Sequence, residues 1–207
     1  PHYVFNFKDA FDDCVINNFV NEYISGRTPN PCIECNRKIK FEAMLDRAKT
    51  LGYGKIATGH YAVIEKAGNG RYLLKKAADK SKDQTYVLYC LTQEQLSRTL
   101  FPLGTLTKAQ VREIAAENGF VNAKKPDSQD ICFVPDGDYA SFIERYTGET
   151  AKKGDFTDIN GKILGEHKGI IRYTVGQRKG LGIALGKPRF VISKNAETDT
   201  VVLGDED

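Results

Sequence analysis

The sequence predicts an α/β domain followed by a small β-rich domain, and three observations support this prediction. The 207 residues are 41% hydrophobic, which is enough to form one or two globular cores. Residues 3–58 follow the order strand, helix, helix, strand, which is typical of an open α/β sheet. From Gly148 onward, glycine-rich turns alternate with short apolar runs, as in small β domains. We place the boundary near residue 136, so the predicted domains span residues 1–135 and 136–207.

The first four elements build the predicted α/β sheet. A strand is predicted over Tyr3–Phe7, and a helix from about Asp9 to Ile24 carries its apolar residues on one face. A second helix is predicted over Arg37–Leu51, because apolar residues recur there at steps of three and four. Lys55–Thr58 reads as the next strand. Ligands of such sheets lie beyond the carboxyl ends of the strands, which here means Thr58-Gly59-His60-Tyr61.

The later elements are shorter. Residues 62–65 and 71–75 flank a glycine-containing turn and predict a surface hairpin. Two helix starts carry capping-box patterns, Thr92-x-x-Gln95 and Thr107-x-x-Gln110. A short helix is predicted around Phe142. The strand-like runs of the last domain are Ile170–Val175, Arg189–Ser193 and Thr200–Leu203.

The composition restricts the setting in which this chain works. Five cysteines without a regular spacing argue for a reducing cytoplasm and against a disulfide framework. No apolar run is long enough to cross a membrane, so we expect no membrane partner. Residues 168–196 hold seven Lys or Arg and no acidic residue, a local basic strip that suits a polyanion. The abrupt start without Met predicts an excerpt from a longer chain.

Cys32 and Cys35 form a C-x-x-C pair directly after the stiff segment Thr28–Pro31. The loop would turn into a helix there, and the N–H groups of a helix start favour a thiolate. This spacing is compatible with a structural zinc site, although no second pair supplies the remaining ligands. A thioredoxin-like redox pair, buried structural thiols, or pairing with the distant Cys132 in persulfide chemistry are the other interpretations.

Six ordered motifs match a known family, and together they cover essentially the whole chain. They are Gly26-Arg27-Thr28-Pro29-Asn30-Pro31-Cys32-x-x-Cys35-Asn36, Ile39-Lys40-Phe41, Ala57-Thr58-Gly59-His60-Tyr61, Lys82-Asp83-Gln84, Asp127-Ser128-x-x-Ile131-Cys132-Phe133 and Gly176-Gln177-Arg178-Lys179-Gly180-Leu181-Gly182. In this order they resemble the tRNA-uridine 2-sulfurtransferases, also called 2-thiouridylases. The resemblance implies the rear part of an adenine-nucleotide α-hydrolase-like (PP-loop) domain, followed by a small β-rich central domain. The family's upstream ATP-pyrophosphatase loop and its C-terminal β-barrel are absent from this sequence.

The resemblance implies a two-step reaction. With ATP, and with Mg²⁺ expected, the wobble uridine of tRNA is adenylated at its 2-oxygen, and a persulfide sulfur then replaces AMP. A sulfur-donor protein, a persulfide relay protein or a cysteine desulfurase, is the implied second partner. By position, Cys35 matches the nucleophile and Cys132 the persulfide carrier, and a disulfide bond belongs to this chemistry.

The remaining motif positions match binding residues of the family. Gly59 matches a nucleotide contact, and the segment Asn30-Pro31-Cys32 matches the part that faces the target base. His60 and Lys82-Asp83-Gln84 match positions that contact tRNA. Two alternatives stay open: a non-catalytic tRNA-binding module, and a [4Fe–4S] cluster held by Cys32, Cys35 and Cys132, since many members have Asp at the position of Cys32.

Overall fold

The computed structural model describes residues 2–125 and 130–205 and divides the chain into two compact units. One unit contains residues 1–14 and 32–129, and the other contains residues 15–31 and 130–207. Each unit has a buried apolar cluster of its own. Within the described residues, no helix combines the length and the apolar character that a membrane span requires.

The first helix runs as α-helix over Lys8–Phe11, as π-helix over Asp12–Ile16 and again as α-helix over Asn17–Ile24. This confirms the helix that was predicted from about Asp9 to Ile24. The predicted strand over Tyr3–Phe7 is wrong, because residues 2–7 form no strand and Val4 is 86% exposed. A strand needs a neighbour for its N–H and C=O groups, and no described segment pairs with this one.

The second helix, which we call the cysteine helix, begins earlier than predicted. It runs over Pro31–Glu34, continues as π-helix over Cys35–Ala43 and ends as α-helix over Met44–Thr50. Proline fits the first turn of a helix because the N–H that it lacks has no partner there in any case. The correction matters for the site, because Cys32 and Cys35 lie within the first turns of the helix instead of in a loop before it.

The first unit contains two small sheets. Strands β1 (Ile56–Ala57) and β4 (Thr99–Leu100) pair in parallel, which places a strand where Lys55–Thr58 predicts one. Strands β2 (Ala62–Lys66) and β3 (Tyr72–Lys76) form the predicted antiparallel hairpin.

Both predicted capping boxes are present in this unit. They start the helices Gln93–Ser97 and Lys108–Glu117, and in each the threonine hydroxyl accepts a hydrogen bond from the backbone of the glutamine three residues later. Two short 3₁₀ helices, Lys80–Lys82 and Thr85–Val87, follow the hairpin.

The second unit combines a helix with a four-stranded sheet. The helix Tyr139–Thr147 confirms the one predicted around Phe142, and it ends at Gly148, whose φ is 74°. The sheet contains β5 (Gly154–Thr157), β6 (Ile163–His167), β7 (Phe190–Asn195) and β8 (Thr200–Gly204) in the order β6-β5-β8-β7. Only the β5–β8 pair is parallel.

Two features of this sheet differ from the sequence prediction. Strands β5 and β6 were not predicted, because their short, polar sequences contain glycine and lack clear alternation. Ile170–Val175 is not a strand: Ile170–Arg172 is a 3₁₀ turn in which Ile170 and Ile171 are both buried. Successive side chains of a strand point to opposite faces of the sheet. Ile170 and Ile171 are both buried in the same apolar cluster, which favours the turn over a strand.

Candidate active site

The cysteine helix presents its two thiols differently. Cys32 is exposed, and Cys35 is partly buried at the point where the α-helical first turn becomes π-helical. A π-helical stretch is wider than an α-helix and is frequent at functional sites. Arg37 forms an ion pair with Glu34 at 2.9 Å one turn along the same surface. Asn30, the residue before the helix, is exposed, and Pro31 is buried.

Asn36 fastens this part of the helix to the segment that contains the second 3₁₀ helix. It is 1% exposed, and its Nδ2 donates a hydrogen bond to the carbonyl oxygen of Val87 at 3.0 Å. Its Oδ1 is buried and has no hydrogen-bond partner among the described residues. Five residues after Asn36, the carbonyl oxygen of Phe41 accepts a hydrogen bond from Gln95 Nε2 at 2.9 Å. Both bonds lie on the carboxyl side of Cys35, and they hold in place the helix that carries it.

His60 follows the carboxyl end of β1 and lies inside the first unit. Its ring is 8% exposed and lies 5.7 Å from the ring of Phe41 and 5.8 Å from that of Phe101. Its Nδ1 lies 2.8 Å from the hydroxyl of Thr58. Burial, with the charge of Lys40 nearby, lowers the pKa of His60 to about 4. His60 is therefore neutral at pH 7, and its predicted contact with tRNA would be that of a neutral hydrogen-bonding group.

Gly59 lies beside His60 and is exposed. A Cβ added there would meet only Leu103 Cδ1, at an ordinary distance of 3.6 Å. The protein interior therefore does not require glycine at this position. Glycine would let a ligand approach the backbone closely here, and the nucleotide contact stays a prediction.

Lys82-Asp83-Gln84 connects the two 3₁₀ helices, and two of its side chains are engaged internally. Gln84 Oε1 accepts from the backbone N–H of Tyr61 at 3.0 Å. Asp83 accepts from the N–H of Ala77 at 2.8 Å and from the hydroxyl of Thr85 at 2.5 Å. Burial acts to raise the pKa of Asp83, but these hydrogen bonds outweigh it and hold the pKa below its usual value. Lys82 is half-buried. The predicted tRNA contacts of these three residues remain predictions.

Cys132 belongs to the second unit and is exposed. Its neighbours Ile131 and Phe133 pack against the apolar cluster of that unit, and Val134 is 1% exposed. Asp130 stiffens the same turn by accepting from the N–H of Ile131 at 3.1 Å and from the hydroxyl of Tyr139 at 2.5 Å. The exposed thiol is accessible to reagents from solvent, and its role as a persulfide carrier stays a prediction. The Asp127-Ser128 part of this motif lies outside the described residues.

The glycine-rich motif of residues 176–182 forms a basic loop in the second unit. Gly176, Gly180 and Gly182 have φ values of 87°, 74° and 72°, which side-chain-bearing residues rarely adopt. Gln177 pins the loop, accepting from the N–H of Thr174 and donating to the carbonyl of Lys179, both at 2.9 Å. The loop borders a cavity of about 510 Å³ whose basic lining residues are Arg178, Lys187 and Arg189. Lys187 and Arg189 form ion pairs with Asp205 at 2.9 and 3.3 Å, so the suitability of this surface for a phosphate backbone rests on Arg178 and Lys179.

The five cysteines are all described, and all are thiols, so the expected disulfide bond is not present in this structure. Within residues 2–125 and 130–205, no three His, Cys, Asp or Glu side chains are gathered as a metal site. The assignments of Cys35 and Cys132, the zinc site and the [4Fe–4S] cluster are predictions that this geometry leaves untested.

The sequence motifs indicated no role for Asn36 and Lys40, which lie in the cysteine helix, or for Tyr86 and Tyr89, which belong to the same unit. Asn36 and Lys40 were inside recognised motifs but had no predicted partner. Tyr86 and Tyr89 carried a usable signal, because two aromatic residues three positions apart flank the apolar pair Val87-Leu88.

Two family models match the chain. A model described as tRNA methyl transferase HUP domain covers residues 1–136, and one described as tRNA methyl transferase PRC-barrel domain covers residues 140–205. These matches confirm the predicted fold class, a PP-loop-type α/β domain followed by a small β-rich domain.

Curated relatives match over the full length of the chain. A protein named tRNA-specific 2-thiouridylase MnmA from Lachnoclostridium phytofermentans is 59% identical over 207 residues, which are 100% of this chain and 58% of that protein. A protein of the same name from Acetivibrio thermocellus is 60% identical over 207 residues, which are 100% of this chain and 58% of that protein. The one from Clostridioides difficile is 54% identical over 208 residues, again 100% of this chain and 58% of that protein. The chain thus spans about 58% of the length of these relatives.

Proposed function

Because this chain belongs to the family with tRNA methyl transferase HUP and PRC-barrel domains, we propose that it is part of an enzyme that converts a tRNA uridine to 2-thiouridine. The observation that carries the proposal is the identity of 54–60% between the whole chain and proteins named tRNA-specific 2-thiouridylase. The family description mentions methyl transfer. We favour sulfur transfer, because the names of the whole-chain relatives state it and because two of the matched motifs are centred on cysteines.

In the proposed reaction, the 2-oxygen of the wobble uridine attacks the α-phosphate of ATP, and pyrophosphate leaves. The terminal sulfur of a persulfide on Cys132 then attacks C2, and AMP leaves with the former 2-oxygen. The Cys35 thiolate attacks the Sγ of Cys132, and the electron pair of the broken S–S bond stays on the transferred sulfur. An external thiol reductant returns both cysteines to thiols, and a sulfur-donor protein reloads Cys132.

The cysteine helix supports the role of Cys35. Pro31 and the Asn36–Val87 hydrogen bond hold the Cys35 turn in place before any substrate binds. A prepositioned nucleophile lowers the entropic part of the barrier. The uridine must leave its stack to expose the 2-oxygen, so a nucleophile on a rigid, partly exposed helix turn suits a base presented from outside. No step of this proposal passes through a metal cluster.

The domain boundary near residue 136 is part of the proposal. We assign nucleotide binding and Cys35 to the segment before it, and the basic loop of residues 176–182 to the segment after it. The cytoplasm is the proposed site of action, because both tRNA and reduced thiols are found there.

The test uses the full-length protein with ATP, Mg²⁺, a persulfide donor and an unmodified tRNA transcript, and nucleoside mass spectrometry detects 2-thiouridine and methylated uridine separately. We expect 2-thiouridine from the wild type and from Cys32→Ala, and none from Cys35→Ala or Cys132→Ala. Cys90→Ala is the matched control, since Cys90 is a partly buried thiol in the same unit as Cys35. Full activity without Cys35 or without Cys132 would contradict the assigned roles. Loss in all three of Cys32→Ala, Cys35→Ala and Cys132→Ala, with iron bound to the wild type, would replace the persulfide route by the cluster.

A further inference from the structure

Tyr86 and Tyr89 are two exposed aromatic side chains that the proposed reaction does not use. They are 62% and 70% exposed. No ring of another described residue stacks on either of them, and neither has a described cation over its face. Exposed aromatic rings offer flat faces on which a ligand can stack. We call these two residues the tyrosine pair.

The tyrosine pair is displayed by a rigid segment. Tyr86 lies in the 3₁₀ helix Thr85–Val87, and the backbone continues with bonds from Leu88 N to Thr85 O at 3.0 Å and from Leu91 N to Leu88 O at 3.1 Å. Tyr89 lies in the turn that follows this 3₁₀ helix, so both tyrosines belong to one hydrogen-bonded stretch of backbone. Between them, Val87 and Leu88 are 4% and 0% exposed and hold the segment to the core.

The residues before the pair anchor it further. Asp83 accepts a hydrogen bond from the hydroxyl of Thr85 at 2.5 Å. Gln84 makes two hydrogen bonds with the backbone of Tyr61: its Oε1 accepts from the N–H at 3.0 Å, and its own N–H donates to the carbonyl oxygen at 2.9 Å. Two members of Lys82-Asp83-Gln84 therefore support the base of the segment.

The pair lies beside the cysteine helix. The Asn36–Val87 hydrogen bond joins the residue after Cys35 to the residue after Tyr86. At the other end of the segment, burial raises the pKa of the Cys90 thiol, and Arg37 and Glu34 are near enough to act on its charge. The segment thus runs along the helix turn from Glu34 to Arg37, and this turn contains Cys35.

The surroundings fit a nucleic acid. Lys80 is exposed six residues before Tyr86, and Arg37 is exposed but paired with Glu34, so Lys80 is the cation that this segment offers to a phosphate. Nucleic acids bind to exposed aromatic rings by stacking of unpaired bases, with cations on the phosphates, and any base offers a flat face for this. A protein partner would also contact tyrosines, but it would not require unpaired bases.

We propose that the tyrosine pair is a stacking platform for unpaired anticodon-loop bases of tRNA, placed next to Cys35. This inference rests on the proposed function and deepens it, because it names the surface that holds the loop open. A base that stacks on Tyr86 or Tyr89 stabilises the unstacked form of the loop, in which the 2-oxygen of the target uridine is accessible.

The test measures binding of the full-length protein to an unmodified tRNA transcript over a series of salt concentrations. We expect Tyr86→Ala and Tyr89→Ala each to weaken binding by about tenfold, since one stacked base is worth a factor of that order. The slope of log K against log salt stays unchanged, because stacking releases no counterions. Tyr86→Phe and Tyr89→Phe keep the ring and bind within about twofold of the wild type. Lys80→Ala lowers the slope by about one.

Tyr53→Ala is the matched control, since Tyr53 is 47% exposed and lies just after the other end of the cysteine helix. It binds tRNA as the wild type does. Wild-type binding by the double variant Tyr86→Ala/Tyr89→Ala would overturn the platform while leaving the proposed function intact. Phe variants as weak as the Ala variants would also overturn it, because the hydroxyls and not the rings would then be the contact. A wild type that does not bind tRNA would refute the proposed function itself.

Discussion

His60 gives the sharpest quantitative prediction, because its burial is measurable as a dependence of stability on pH. The ring is 8% exposed between Phe41 and Phe101, and its pKa is lowered from 6.5 to about 4. In the unfolded chain His60 takes up a proton near pH 6.5, whereas in the folded chain it does so only near pH 4. The stability that neutral His60 provides is therefore complete above pH 6.5 and is lost as the pH falls towards 4.

The size of the effect follows from the pKa difference. At about 1.36 kcal/mol per unit, the depression of the His60 pKa corresponds to about 3 kcal/mol of free energy of unfolding. His60→Phe removes the titrating group and keeps a flat ring between the two phenylalanines. At pH 7 the variant loses the contact with Thr58, which costs on the order of 1 kcal/mol.

The measurement is urea unfolding of the wild type and of His60→Phe at several pH values between 7 and 4. We expect the wild type to lose about 3 kcal/mol more than the variant over this range. Thr58→Val is the control: it removes the hydroxyl at 2.8 Å but leaves the ring buried, so its pH dependence follows the wild type. Parallel curves for the wild type and His60→Phe would refute the argument, because His60 would then titrate alike in both states.

Three further outcomes test other parts of the structure. Gly154→Ala places a Cβ 1.8 Å from the carbonyl oxygen of Asp199, so we expect thermal unfolding to show a loss of about 1–3 kcal/mol in the free energy of unfolding. Gly54→Ala is the control, because nothing lies within 4 Å of a Cβ there, and it should show no such loss. An unchanged melting temperature for Gly154→Ala would contradict the close β5–β8 pairing. Gly59→Ala meets only Leu103 at 3.6 Å, so it should keep its stability but weaken ATP binding at least severalfold in equilibrium dialysis; unchanged ATP binding would remove Gly59 from the nucleotide site. Tyr139→Phe removes the 2.5 Å hydrogen bond to Asp130, and we expect a loss of about 1–2 kcal/mol in the free energy of unfolding and faster alkylation of Cys132. Unchanged alkylation would show that this bond does not hold the Cys132 turn.

Local patterns in the sequence were sufficient for many elements. The capping boxes at Thr92 and Thr107 formed as predicted, because their hydrogen bonds involve residues only three positions apart. The hairpin of β2 and β3 and the helix Tyr139–Thr147 followed from turn residues and apolar spacing for the same reason. The cysteine motifs could be located, and the family was identifiable, because both depend on residue identity and order alone.

Only the tertiary structure decided which internal contacts the polar side chains of the motifs make. In the fold, His60 lies between two phenylalanine rings, and Asp83 and Gln84 accept hydrogen bonds from the backbone of Ala77 and Tyr61, while their contacts with tRNA stay predictions. The strand predicted over Tyr3–Phe7 failed, and β5 and β6 were missed, because strand formation depends on a neighbour that the local sequence does not contain. The tyrosine pair appeared only once Val87 and Leu88 were found buried, since burial is set by the whole core and turns a run of four apolar and aromatic residues into two anchors and two exposed rings.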